Sequence, residues 1–199
     1  MNSQEIFNSL LKNFIKPYFK KIGFKTSGQT FYLENEGFIK IIQIQKSQFN
    51  SAENVRFTFN IGVFDTYVNE KLNISIKKPK PSDCVIEKRI GFLCPENKDT
   101  WFSIDNSTDQ ELFSSNLKNI FNQYLLSYLD SFQSIEDLAK CYQEKADLNI
   151  NSKGGGFYFA IHLLKQNKPE AISIIKTYLT KWGHSEHWKY KIECLLKNA

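Results

Sequence analysis

The sequence predicts an α+β fold, and three observations carry this prediction. Residues 55–63 have apolar side chains at odd positions and polar residues or glycine at even positions, which is the period of a β-strand. Residues 3–21 and 112–128 instead repeat apolar side chains every three or four positions, as amphipathic helices do. Helical patterns also follow residue 134. We expect an N-terminal helix, an antiparallel sheet of about four to six strands, a long helix on that sheet and a helical C-terminal part.

The first predicted helix has clear end signals and one awkward residue. Asn2 and Glu5 match a capping box at its start, and Gly23 is placed to end it. Pro17 has no backbone N–H, so we expect it to kink the helix or to end its regular part near Ile15. Residues 18–22 would then form a separate turn.

Three strands are predicted next, as an antiparallel meander. Residues 30–33 and 38–46 flank an Asn-Glu-Gly turn, and a polar connection at 47–54 leads to the strand at 55–63. The core face of this sheet should carry Phe38, Ile42, Ile44, Phe57 and Phe59. The opposite face should carry Gln43, Gln45, Arg56, Thr58 and Asn60, with Ile39 and Ile41 toward one end.

The remainder of the chain changes from short strands to helices. The prolines of 77–81 exclude a regular central strand there, so we expect a loop with strand character at 72–76 and short strands at 82–86 and 89–93. Capping boxes at Thr108 with Glu111 and at Ser134 with Asp137 begin the next two helices. A loop at 149–156 precedes further helices at 157–165, 169–182 and about 186–197. We divide the chain into an α+β domain at 1–133 and a helical extension at 134–199 that packs on it.

Composition indicates the class of protein and its expected cellular location. The chain is 41% hydrophobic and has 17 phenylalanines, which is typical of a folded globular protein. It has no apolar run long enough for a membrane span and no signal-peptide pattern, so we expect a cytoplasmic protein that does not bind membranes and keeps its cysteines reduced. The formal charge of +5 comes mostly from lysines, which are less suited than arginines to bidentate recognition of phosphates or bases.

No group of residues has the types and spacing of a catalytic, cofactor or metal site. Gly154-Gly155-Gly156 lacks the Lys-Ser/Thr of a phosphate-binding loop, and the pair His184 and His187 lacks a further ligand at metal spacing. Asp83-Cys84 with the distant His162 is the nearest approach to a nucleophile and its base, but nothing in the spacing brings them together. We expect no cofactor and no metal, and the sequence favours a non-enzyme over an enzyme.

Short motifs in the first two thirds of the chain resemble a bacterial family of unknown function, numbered 4304. They are Gly23-Phe24-Lys25, Gly28-x-Thr30-Phe31-Tyr32, Gln45-Lys46-Ser47, Phe59-Asn60-Ile61-Gly62-Val63, Pro81-x-Asp83-Cys84, Arg89-Ile90-Gly91-x-Leu93 and Trp101. The resemblance covers roughly residues 3–130. It implies an α+β fold and a bacterial origin, and it supplies no activity.

The motifs single out polar residues that burial does not explain, namely Gln45, Asn60, Asp83, Cys84 and Arg89. Two of them, Gln45 and Asn60, also lie on the predicted polar face of the sheet. We therefore predict a binding surface made of Gln43, Gln45, Arg56, Thr58, Asn60, Asp83, Cys84 and Arg89, since an uncovered sheet face can serve recognition. The alternative is that these residues only satisfy backbone groups and strand ends.

Three functions stay open. The first is a non-catalytic protein-binding module of the bacterial immunity or antitoxin type, although inhibitors of nucleases tend to be acidic and this chain is basic. The second is nucleic-acid binding by the lysine-rich first 80 residues. The third is a small enzyme centred on Asp83, Cys84 and Arg89. The sequence predicts no oligomeric state.

Overall fold

An antiparallel sheet forms the centre of the protein in the computed structural model, which describes residues 1–147 and 154–197. Its six strands are β1 (Lys25–Ser27), β2 (Thr30–Asn35), β3 (Phe38–Lys46), β4 (Asn54–Asp65), β5 (Ile86–Arg89) and β6 (Phe102–Asp105). The order is β1-β2-β3-β4-β5, and β6 also pairs with β4. The short strands β5 and β6 share one edge of β4, at residues 60–63 and 54–57 respectively.

The register of β3 against β4 fixes the two faces of the sheet as the alternation predicts. Gln43 lies opposite Asn60, and Gln45 lies opposite Thr58, so the amides share a face with the even residues of β4. The odd residues from Val55 to Val63 point the other way and are fully buried. The expected meander and the α+β class are confirmed.

Helices lie on the core side of the sheet, some directly on the strands and others on neighbouring helices. They are α1 (Ser3–Leu10), α2 (Lys16–Lys21), α3 (Thr66–Lys71), α4 (Gln110–Ile120), α5 (Ser127–Asp130), α6 (Ile135–Asp147), α7 (Gly155–Lys165), α8 (Glu170–Trp182) and α9 (Glu186–Lys197). Of these, α8 and α9 pack on neighbouring helices. The π-helical segment Phe121–Leu126 joins α4 to α5, which gives the expected long helix. The ring of Phe121 lies 5.0 Å from the rings of both Phe19 and Phe59, so this helix, the first helix and the sheet meet at one point.

The first helix continues through Pro17, so the expected break is wrong. Residues Leu11–Ile15 form a π-helical segment, in which the Lys16 N–H donates to the Leu11 carbonyl five residues back. This shift of register places Pro17 in the first turn of α2, where no N–H is required of it. The capping box of Asn2 with Glu5 is present, and Gly23 ends the helix with φ +95°.

The region after β4 departs most from the predictions. The expected strand character at 72–76 is wrong, because the chain folds into α3, capped by the Asp65 carboxylate, and then a turn. The expected strands at 82–86 and 89–93 are displaced: Pro81–Asp83 is a 3₁₀ turn and the strand is β5. The Pro81–Cys84 segment crosses the polar side of the sheet at Gly62, and a chain that crosses a face cannot join the ladder.

The helical caps are partly as expected. The N-cap of α4 is Asp109 and not Thr108, because the Asp109 carboxylate accepts from the Glu111 and Leu112 N–H groups. The Thr108 hydroxyl instead accepts from the Asp105 N–H at the end of β6. The box of Ser134 with Asp137 is present at the start of α6.

The helices from α6 onward pack against the same core as the sheet. The side chain of Ile135 fills the space beside Gly37, which has φ +81° and no room for a Cβ. Most of the predicted loop at 149–156 lies outside the described residues, and Gly155 and Gly156 already belong to α7. Within the described ranges, no helix has the length and apolar character needed to cross a bilayer.

Candidate functional site

The side of the sheet opposite the helices carries a connected set of polar side chains. Five of the eight predicted site residues are at least partly exposed here, namely Gln43, Gln45, Arg56, Asn60 and Arg89, whereas Thr58 and Cys84 are buried on the same side. Asn60 is the central member, since the ladder places it between Gln43 on β3 and Arg89 on β5. We call this side of the sheet the polar face.

Two amides and a guanidinium form the first part of the network. The Gln45 Oε1 accepts from Asn60 Nδ2 at 2.8 Å and from an Arg89 Nη at 3.1 Å. The Asn60 Oδ1 accepts from Arg89 Nε at 3.1 Å. Because the guanidinium can only donate, it fixes which end of each amide faces it. Arg89 therefore links two strands that are not neighbours, β3 and β5.

Asp99 completes the network beyond the sheet. The other Nη of Arg89 donates to both oxygens of the Asp99 carboxylate, at 2.7 and 2.8 Å, and the Trp101 indole N–H donates to one of them at 3.3 Å. The hydrogen bond from Arg89 is the main cause that lowers the pKa of Asp99 below its usual range, and the bond from Trp101 adds to it. Asp99 is therefore the anionic partner that neutralises Arg89.

The indole of Trp101 lies between two arginines. The guanidinium carbon of Arg89 is 5.2 Å from the ring centroid and that of Arg56 is 6.0 Å. Both distances are within the range of a cation–π contact. We call Arg56, Arg89, Asp99 and Trp101 the Arg–Trp cluster.

A tight loop brings Asp99 and Trp101 to this place. Gly91 permits it, because a Cβ there would collide with the Lys98 carbonyl and lie 2.6 Å from the Thr100 nitrogen. The Thr58 hydroxyl holds the loop from the sheet side by donating to the Thr100 carbonyl at 2.9 Å. Asp99 was not among the predicted site residues, and Trp101 was noted only as a family motif residue. The sequence feature that could have indicated this loop is Gly91, because a glycine lets another stretch of backbone approach closely.

Two open clefts flank the Arg–Trp cluster. One, of about 580 Å³, is lined by Gln43, Asn60, Arg89 and Phe92 among others. The second, of about 550 Å³, is lined by Gln45, Phe49, Arg56 and Trp101 among others. Each cleft has an exposed phenylalanine at its margin, Phe92 at 44% exposure and Phe49 at 85%.

Phe49 projects from a loop that is fastened to the sheet. Asn50, the next residue, accepts from the Arg56 N–H at 2.8 Å and donates to the Arg56 carbonyl at 3.0 Å. The Ser47 N–H donates to the same carbonyl, and the Ser47 hydroxyl accepts from the Phe49 N–H. The backbone that carries this exposed ring is thus held by hydrogen bonds within the protein.

The other three predicted residues have different surroundings. Thr58 is fully buried, so it positions the loop and offers no surface of its own. Cys84 is 2% exposed and packs with Ile41 and Phe64 in a small apolar cluster on the same side of the sheet. The Asp83 carboxylate is exposed and accepts from the Lys80 N–H at 2.8 Å, which closes the 3₁₀ turn.

A second polar cluster lies inside the core and was not predicted. His162 Nε2 is 2.7 Å from the Asp65 carboxylate, and both residues are almost completely buried. The same carboxylate caps α3 through the Val68 N–H. The ring of His162 stacks on that of Tyr142, whose pKa is raised well above its usual value, first by burial and then by the charge of Asp65. This buried bond joins the end of β4 to α7.

The described residues contain no group of three or more side chains arranged to hold a metal ion. His162, considered above as a base for Cys84, instead pairs with Asp65. Gly154 has φ +83° and lies against the edge of Trp182.

Comparison with known protein families gives one match. The family described as "Domain of unknown function (DUF4304)" matches residues 15–131, more than half of the chain, so the chain belongs to this family. The match includes the whole sheet and the Arg–Trp cluster, and it ends before α6. Comparisons with curated proteins and with solved structures give no match.

Proposed function

We propose that this member of the DUF4304 family is a non-catalytic, cytoplasmic protein-binding module of the bacterial immunity or antitoxin type, which caps its partner with the polar face. One observation carries the proposal: Phe49 is 85% exposed on a loop fastened to the sheet, beside Arg56 and Trp101. Arginine and tryptophan are the residues most often found at the energetic centres of protein interfaces.

Preorganisation supports this use of the face. Ordering an interface loop or a long side chain on binding reduces affinity, by roughly 0.5–1.5 kcal/mol for each mobile side chain. Here Asn50 already fixes the loop that carries Phe49, and the network already fixes Arg89. The partner therefore meets a surface that needs little further ordering.

Charge indicates the kind of partner. Arg89 is neutralised by Asp99, whereas no carboxylate in the described part of the chain forms an ion pair with Arg56. Arg56 is exposed at the margin of the second cleft. The cleft therefore suits a partner that presents a carboxylate next to an apolar side chain, and a basic module is complementary to such a partner.

Affinity capture from the native host tests the proposal. The tagged wild-type protein is compared with a double variant, Phe49→Ser with Arg56→Ala. The matched control is Leu112→Ser with Lys12→Ala, which also removes an exposed apolar residue and a lysine charge but lies on the helical side. We expect a protein that is captured by wild type and control, and at least about tenfold less by the double variant.

Two outcomes would overturn the proposal. The first is that repeated captures return no protein, or one that the double variant retains equally well. The second is retention on DNA or heparin whose log affinity falls linearly with log salt, with no protein partner, which would instead assign the lysine-rich surface to nucleic acid.

A further inference from the structure

A pocket of about 440 Å³ lies where the family domain meets the C-terminal helices. Asp83 and Cys84 line it from the Pro81–Cys84 segment, and Tyr158, Trp182 and Trp188 line it from the helical side. Asp83 and Cys84 are predicted site residues that take no part in the hydrogen-bond network of Gln45, Asn60, Arg89 and Asp99. Its volume is within the range of small-molecule sites.

The aromatic wall of this pocket is held firmly. The rings of Trp182 and Trp188 are 5.3 Å apart at 46°. Trp182 also packs against Tyr178 at 4.6 Å and against Phe157 at 5.3 Å. The edge of the same indole lies against Gly154, where a Cβ would come within 2.6 Å of it. Two indoles and a phenol ring therefore border the pocket in fixed positions.

The charged groups at the pocket are unevenly distributed. Asp83 contributes an exposed carboxylate, and His184 contributes an imidazole at the margin. Among the described residues that line the pocket there is no lysine or arginine. A carboxylate beside several aromatic rings is the chemistry that attracts an organic cation.

We propose that this pocket binds a methylated ammonium group, with Trp182, Trp188 and Tyr158 facing the methyl groups and Asp83 supplying the counter-charge. Indole faces attract such cations through the ring quadrupole, and a quaternary ammonium loses less hydration than a primary ammonium when it enters an aromatic site. The same chemistry is offered by a free choline-like molecule and by a trimethyl-lysine side chain of another protein. This site is separate from the polar face and does not depend on the proposed function.

Tryptophan fluorescence tests the site, because two of the three tryptophans of the chain line the pocket and Trp101, on the polar face, adds a constant background. The purified full-length protein is titrated with choline and, separately, with a peptide that contains trimethyl-lysine. The neutral comparison ligand is 3,3-dimethylbutan-1-ol, which has the shape of choline without its charge. We expect a saturable change with at least one ammonium ligand, and at least about tenfold weaker binding of the alcohol.

Two variants and a control complete the test. Asp83→Asn should weaken ammonium binding about fivefold, and Trp188→Leu about tenfold or more, while Glu36→Gln, in the exposed β2–β3 turn, should leave it unchanged. Asp83 is a surface residue, so its variant keeps the test valid if Trp188→Leu does not fold. Saturation by choline alone identifies a small-molecule site, whereas saturation by the peptide alone identifies a modified protein. Equal binding of the alcohol, unchanged binding by Asp83→Asn, or no saturation with either ammonium ligand would overturn the proposal.

Discussion

Arg89 holds the polar face together at the scale of single residues. It donates to Gln45, to Asn60 and to both oxygens of Asp99, and its guanidinium lies over Trp101. A lysine could not make these contacts together, because its ammonium has no planar array of donors. The geometry of the whole cluster therefore depends on this one arginine.

The Asp99→Asn variant tests the bond between Arg89 and Asp99. The pKa of Asp99 is lowered in the folded protein, so the carboxylate stabilises the fold above the ordinary aspartate pKa of about 3.9 and loses this effect as the pH falls below it. We expect Asn to lower the free energy of unfolding at pH 7 by no more than about 1 kcal/mol, since Asp99 is half exposed.

Urea unfolding of wild type and Asp99→Asn at about pH 7 and about pH 2.5 makes this measurement. Asp105 and Asp137 also have lowered pKa values, but they titrate in both proteins and cancel in the difference. The difference between the two proteins in the free energy of unfolding should be larger at the higher pH and should shrink at the lower one. A difference that grows on acidification would contradict the assigned ion pair.

The residues of the polar face were predictable only in part. The period of two in β3 and β4 was sufficient to place Gln43, Gln45, Arg56 and Asn60 on one side. Asp99 was not predictable in the same way, because its position depends on how closely the loop approaches Gly91. Periodicity reports which way a strand residue points, and it carries no information on where a loop returns.

Two short segments, a π-helical turn and a chain crossing, shape the secondary-structure elements. The π-helical segment Leu11–Ile15 carries the first helix past Pro17, and a pattern of apolar spacing does not distinguish it from an ordinary α-helix. The second segment, Pro81–Cys84, crosses the sheet. This crossing explains why residues 82–85 do not form a strand, since Cys84 packs on Ile41 and Phe64 at this side of the sheet.

Gly62→Ala tests the crossing. A Cβ at this position would lie 2.7 Å from the Cys84 Sγ and 2.9 Å from the Pro81 Cα, so one of the two chains must move. We expect a loss of about 1–3 kcal/mol in the free energy of unfolding, measured by urea denaturation.

The control is the same glycine substitution made in a Cys84→Ala background. The Cys84 sulfur is absent in that background, whereas the Pro81 backbone remains. Gly62→Ala should therefore lower the free energy of unfolding by less than it does in the wild type, but by a measurable amount. Equal stability of Gly62→Ala and wild type would show that the segment does not cross the sheet at this residue.

Asp65 and His162 connect distant parts of the chain at the scale of the whole molecule. They are 97 residues apart, and their bond joins the end of β4 to α7, outside the residues matched by the family. Neither residue belongs to a local motif, so their pairing was not predictable from spacing along the chain. Phe59 from the sheet and Phe157 from α7 also belong to the same hydrophobic core, so apolar packing joins the same two parts of the chain.

His162→Ala should destabilise the protein strongly, by about 3–5 kcal/mol, because it leaves the buried Asp65 carboxylate without its partner. His162→Gln should lose less, since the glutamine amide can place a donor near the position of Nε2. Urea unfolding compares the two variants with wild type. Wild-type stability of His162→Ala, or a larger loss for glutamine than for alanine, would refute the role given to this bond.

Hydrogen–deuterium exchange of the protein alone and with its captured partner tests the central claim most directly. If the partner is capped by the polar face, the added protection should fall on residues 46–57 and 97–101, which carry Phe49, Arg56, Asp99 and Trp101. Protection confined to α4 or to the helices after residue 134, with those two segments unchanged, would contradict the account.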